Sequence, residues 1–124
     1  MSKFIGASKR MQKALEKAEL YVNWPTEITD GEELAIEASF YTEHGQKLLL
    51  IDLRDREYKT KAEVDFAVAN QLDAAYEDFD VDEEAEIYIR SDVPEKPSVS
   101  QIVEDMKEQK AKLKMFSEIA NKIV

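Results

Sequence analysis

ELAIEASFYTEHGQKLLLIDL, residues 33–53, decides how this chain folds. Leu34, Ile36, Ala38 and Phe40 fall on one side of a two-residue repeat, with Glu33, Glu37 and Ser39 on the other. That alternation belongs to a strand with one face on a core. Glu43-His44-Gly45-Gln46 then reads as a tight turn, in which Gly45 tolerates the positive φ that other residues resist. KLLLIDL, residues 47–53, returns as the partner strand. The stretch is therefore predicted to be an antiparallel hairpin. If its outer face carries Glu33, Glu37 and Asp52, that face is acidic.

The remaining elements follow outward from the hairpin. Residues 7–22 place Met11, Ala14, Leu15, Ala18 and Val22 on one helical face, with Ser8 as a cap and Trp24-Pro25 as a stop. Asp30-Gly31 marks a turn. Thr60-Lys61-Ala62-Glu63 is a capping-box pattern opening a helix over 60–76, with Val64, Val68, Leu72 and Ala75 as its buried stripe and Phe66 and Ala67 flanking it. AEIYIR, residues 85–90, reads as a third strand, with Ile87 and Ile89 on one face and Tyr88 on the other. Ser98-Val99-Ser100-Gln101 is a second capping box, opening a helix over 98–121. In that helix Val99, Ile102, Met106, Gln109, Leu113, Phe116, Ala120 and Ile123 recur at alternating steps of three and four, a heptad seam with one polar member. Two uses of the seam stay open: a long helix laid across the sheet, or self-association of the C-terminal segment 98–124 into a homodimer. The predicted order is α-β-β-α-β-α, a small antiparallel sheet (hairpin 33–53 plus strand 85–90) with helices on one side, of α+β class.

Bulk properties narrow the possible roles. A chain of 124 residues fits one domain, 1–124. Its apolar runs are short, as at Leu48–Ile51, against the roughly 20 residues of a membrane-spanning helix. MSKFIGASKR has no apolar signal-peptide core, so the expected location is cytoplasmic. With no cysteine, disulfides and thiolate chemistry are excluded. The net charge of −10 is uneven: residues 18–95 hold 22 acids and 6 bases, a sum of −16, while the two ends hold 11 bases and 5 acids, a sum of +6. Terminal helices packed near the acidic part would ease its self-repulsion, and a surface shaped for a basic partner would use it. Phosphates are repelled at long range, which argues against direct nucleic-acid binding.

The densest acidic segment is YEDFDVDEEAE, residues 76–86, with Glu77, Asp78, Asp80, Asp82, Glu83, Glu84 and Glu86. Asp78, Asp80 and Asp82 imitate the start of a calcium loop. Such a loop needs glycine at its sixth position and glutamate at its twelfth; here these are Glu83 and Ile89. An extended segment would instead project the three aspartates together, with Phe79 and Val81 as inward pegs. The only histidine, His44, sits at the hairpin tip with no cysteine or serine elbow beside it, and nothing resembles H-E-x-x-H. Glycines 6, 31 and 45 are isolated, so there is no phosphate-binding loop. No catalytic residue, metal ligand or cofactor is expected from the sequence.

DFDVDEEAEIYI, the VP linker and SVSQIVEDMKEQKAKLK together resemble the end of small acidic proteins encoded on phages and conjugative elements of Gram-positive bacteria. The resemblance covers residues 76–113 and rests on Asp80, Asp82, Tyr88, Ser98, Glu104 and Asp105. It implies a mobile-element origin and carries no mechanism. Two roles fit: a non-enzymatic accessory protein that binds another protein with a basic surface, or a DNA mimic whose carboxylates occupy the basic groove of a host nucleic-acid-binding or defence enzyme.

Overall fold

The computed structural model describes residues 2–3, 6–24, 27–28, 35–53 and 58–124. In chain order the elements are β1 (Ser2–Lys3), α1 (Lys9–Lys17), β2 (Tyr21–Val22), β3 (Glu27–Ile28), β4 (Ala35–Thr42), β5 (Gly45–Asp52), α2 (Lys61–Asp78), α3 (Val81–Arg90) and α4 (Val99–Ile123). The fold is α+β. Its main sheet is antiparallel, in the order β2-β4-β5, and β1 pairs β3 in a separate ribbon. The hairpin is present with Thr42 opposite Gly45, so Glu43 and His44 are the two turn residues. Gly45 has φ +142°, in the region glycine favours. Glu33 and Leu34 lie outside the described residues, as do Pro25 and the Asp30-Gly31 turn.

The helix starts follow the capping chemistry. Ser8 Oγ accepts from Met11 N at 3.1 Å, and Thr60 Oγ1 accepts from Glu63 N at 3.2 Å. Glu63 itself reaches back to Lys59 N, one residue beyond the cap. At α4 the box is reciprocal: Ser98 Oγ accepts from Gln101 N, and Gln101 Oε1 accepts from Ser98 N. Helix α1 stops at Lys17, short of the expected 22. Leu20 N bonds to Leu15 O and Glu19 N to Glu16 O, with Glu19 at φ +70°. This pair of bonds closes a helix in a left-handed turn. Glutamate occupies the position where glycine usually signals the stop, so the stop was invisible in the sequence. The turn frees Tyr21–Val22 to pair with Ser39 and Ala38 as the third strand of the main sheet.

The strand expected at 85–90 is instead helical, as part of α3. Asp80 caps it, accepting from Glu83 N at 3.1 Å. Asp82, Glu83 and Glu84 occupy the first turn and Arg90 the last, each complementing the helix dipole. Val81, Ala85, Tyr88 and Ile89 recur at helical spacing and pack with Ile102, Val103 and Met106 of α4. The β preference of Ile-Tyr-Ile loses to a capped, dipole-matched helix with a partner to lie on.

Helix α4 uses its seam within this chain. Ile102, Met106, Gln109, Leu113, Phe116 and Ala120 are buried, and only Val99, at the start, is exposed. The helix packs on α2, α3, α1 and β4. Of the two uses the spacing allowed, the structure takes the long helix within the chain, and the seam predicted for self-association is covered by the chain's own core. The major core joins Met11, Leu15 and Leu20 to Ile36, Phe40 and Ile51 of the hairpin, Val64, Val68 and Leu72 of α2, and Phe116 of α4. Phe66, by contrast, is exposed. The Phe116 ring meets Phe40 edge to face, centroids 5.4 Å apart. Phe116→Ala is expected to lower the unfolding free energy by about 3–5 kcal/mol. Urea titration checks this, and an unchanged midpoint would contradict the burial.

Candidate functional site

Three features bring together polar or exposed apolar side chains that chemistry or recognition could use. The first is the acidic corner between α2 and α3. Glu77 and Asp78 end α2, Asp80 caps α3, and Asp82, Glu83 and Glu86 lie exposed along α3, with Glu84 half-buried. Phe79 and Val81 do turn inward, Phe79 reaching both cores. The three aspartates do not share an extended strand; each belongs to a helix end. Among the described residues, no group of three or more His, Asp or Glu side chains is placed to hold a metal ion. Glu86 pairs with Arg90 at 2.6 Å, an exposed helix pair of small worth. Lys110 Nζ donates to Phe79 O at 2.6 Å and lies over the Tyr76 ring. A basic residue of α4 thus fastens the acidic corner.

The second feature is Asp105, 5% exposed. Its Oδ2 accepts from Gln109 Nε2 at 3.1 Å and pairs with Lys47 Nζ at 3.0 Å. Burial is the largest single influence and raises its pKa. The Thr42 hydroxyl, Lys47 and Gln109 together outweigh burial and hold the carboxyl below its ordinary value. The Thr42 hydroxyl is directed at Gly45 O at 3.3 Å, so its help is one of proximity, and Asp105 Oδ1 makes no formed hydrogen bond. Gln109, the polar member of the seam, therefore orients a buried carboxylate that ties the hairpin to α4. An Asp and a Gln four apart on an apolar stripe was the available signal. His44 and Asp105 line one cleft of about 340 Å³ with Tyr88, Ile102 and Met106, and among the described residues no serine lines it.

The third feature is the outer face of the sheet. Tyr21, Tyr41, Leu48 and Leu50 are 46%, 53%, 83% and 55% exposed. Tyr21 and Leu48 flank Ser39 from either side, and Leu50 lies opposite Glu37. The two tyrosine rings meet edge to face at 6.1 Å. Neighbouring strands sit about 4.8 Å apart, so these side chains form one surface. Glu37 and Asp52 share it, but the face is more apolar than expected. The sequence reading missed this because three consecutive leucines, 48–50, conceal the alternation. Counting outward from the turn places 48 and 50 opposite 39 and 37, on the solvent side.

Compared with known proteins, the chain matches no family model, no curated protein and no solved structure. No helix among the described residues is long and apolar enough to cross a membrane.

The carboxylates divide into structural and solvent-facing ones. Asp80→Ala removes a cap and is expected to cost about 1 kcal/mol, whereas Asp82→Ala should change stability by less than about 0.5 kcal/mol. Thermal melts of the two variants check the difference. Asp105 is stabilising at neutral pH because its folded-state pKa lies below the unfolded value of roughly 3.9. That contribution is present above the unfolded pKa and is lost as pH falls through the folded one. The stability gap between wild type and Asp105→Asn is therefore expected to be widest above about pH 5 and to narrow below about pH 4. Urea titrations across that range check it; a constant gap would show that charge is not what Asp105 supplies.

Proposed function

We propose that this chain is a non-catalytic accessory protein of the mobile-element type, working in the cytoplasm, that docks a basic protein partner on the open face of its sheet. The observation that carries this reading is the cluster of Tyr21, Tyr41, Leu48 and Leu50, turned to water on one face. Clustered exposed apolar side chains with a polar rim are typical of interaction surfaces, and tyrosine anchors such surfaces at low entropic cost. The net charge of −10 selects the partner's sign and speeds encounter.

The acidic corner supports a second reading, a DNA mimic, because five of its carboxylates lie exposed at the end of α2 and along α3. The two readings place the contact on different residues. Capture from the native host's lysate, compared across variants, separates them. Docking on the sheet predicts that Tyr41→Glu and Leu50→Glu each reduce recovery of one specific protein at least tenfold without lowering Tm. Mimicry predicts that those variants bind normally, while reversing Asp82, Glu83 and Glu86 to lysine abolishes recovery.

A further inference from the structure

β5 is an edge strand: among the described residues, no strand pairs with its outer side. Which of its backbone groups face outward is fixed by its partners. Glu37 O accepts from Asn23 N of the β2 side, and Tyr41 O accepts from Lys112 Nζ, so both carbonyls point away from β5. In an antiparallel pair, residues directly opposite share one state, either bonded to each other or both turned away. Leu50 and Gln46, opposite Glu37 and Tyr41, therefore turn their own N–H and C=O groups outward, and Leu48 between them does the same. Asp52 continues the pattern, and its outward N–H is already taken by Gln71 Oε1 at 3.2 Å. The open stretch of edge is thus Gln46 to Leu50. Leu48, 83% exposed, stands at its centre.

Beside this edge, on the core side, runs a groove of about 260 Å³. Lys47, Leu48 and Leu49 of β5 line it together with Ala75, Asp78 and Phe79 at the end of α2 and Glu84 of α3. Lys47 is neutralised by Asp105 at 3.0 Å, so the groove's remaining charge is that of the two carboxylates. An extended chain laid against β5 would send alternate side chains to opposite faces. Those on the core side would enter the groove that Leu49, Phe79, Asp78 and Glu84 line. Those on the other side would lie beside Leu48 and Leu50.

We propose that β5 binds an extended segment of a partner protein as an added strand, and that the segment carries basic side chains for the groove alternating with apolar side chains for the outer face. The inference deepens the docking function proposed above and rests on it, because it names how the partner engages that face. Main-chain bonds to Gln46, Leu48 and Leu50 supply affinity, and the alternation supplies selectivity. A second copy of this chain is disfavoured as the occupant: each carries −10, and pairing β5 to β5 would bring Asp78 and Glu84 of both copies toward one edge.

The probe is a blocked seven-residue peptide alternating arginine and valine, studied on the full chain by calorimetry and by amide hydrogen exchange. Saturating peptide is expected to slow exchange at the Leu48 and Leu50 amides at least tenfold. Asp78→Lys with Glu84→Lys should weaken binding at least tenfold and flatten its salt dependence. Leu48→Pro removes an outward N–H that the hairpin itself does not use, so it should abolish binding while the fold persists. If that variant fails to fold, exchange in the wild type still decides the matter. Unprotected Leu48 and Leu50 amides in the complex would overturn the proposal. So would an all-arginine peptide that binds equally well, or a dimer in sedimentation whose Leu48 and Leu50 amides are protected without peptide. Capture that depends on Tyr41 and Leu50, alongside a peptide that leaves the edge unprotected, would sink strand addition and leave docking on the face intact. Failure of both would sink the function itself.

Discussion

Everything in this fold depends on one helix having its seam covered from Ile102 to Ala120. The seam of α4 is the surface against which the other helices and the hairpin are assembled: α2 and β4 close on its Leu113–Ala120 half, and α3 on its Ile102–Met106 half. Gln109 lies between the two halves, where the apolar stripe is interrupted, and donates to the buried Asp105 one turn earlier. A buried carboxylate without partners is strongly unfavourable, so this interruption is tolerated because Gln109 and Lys47, the latter from the hairpin, both partner it. The pair thereby fixes the register of the helix against the sheet. A slide of one helical turn would keep much of the apolar contact and leave Asp105 unpaired.

The division of charge along the chain finds its structural expression in the same helix. Lys110 donates to Phe79 O at the acidic corner, Lys112 to Tyr41 O, and Glu108 accepts from Glu43 N at the hairpin tip. Basic side chains of the C-terminal segment are thus placed on main-chain carbonyls of the acidic middle. Helix α2 is tied at its other end by Asp65, which accepts from Ser8 N at 2.7 Å beside the start of α1. These contacts brace a core drawn from elements far apart in sequence.

The hairpin, the caps of α2 and α4 and the buried stripe were legible because each is a local pattern with one physical solution. The end of α1 was not, because Glu19 adopts a conformation that its side chain does not advertise. Residues 85–90 were misread by weighing Ile-Tyr-Ile over the helix-start pattern immediately before it, Asp80 followed three residues later by Glu83. The acids of the candidate site were evident from composition, but their division into caps and surface groups needed the helix ends to be placed. The apolar outer face was concealed by its own abundance: in Leu48-Leu49-Leu50 only the middle leucine turns toward the core. Local periodicity is informative where apolar and polar residues alternate and silent where they do not.

An open strand edge invites uncontrolled sheet growth, since any other free strand satisfies it equally well. Natural proteins often block such edges with lysine, proline or a bulge; here Gln46 to Leu50 has one lysine, and its ammonium is turned inward to a buried acid. The net charge of −10 opposes the approach of identical copies. In the docking function proposed above, the carboxylate excess that repels the chain's own kind is also the excess that admits a cation.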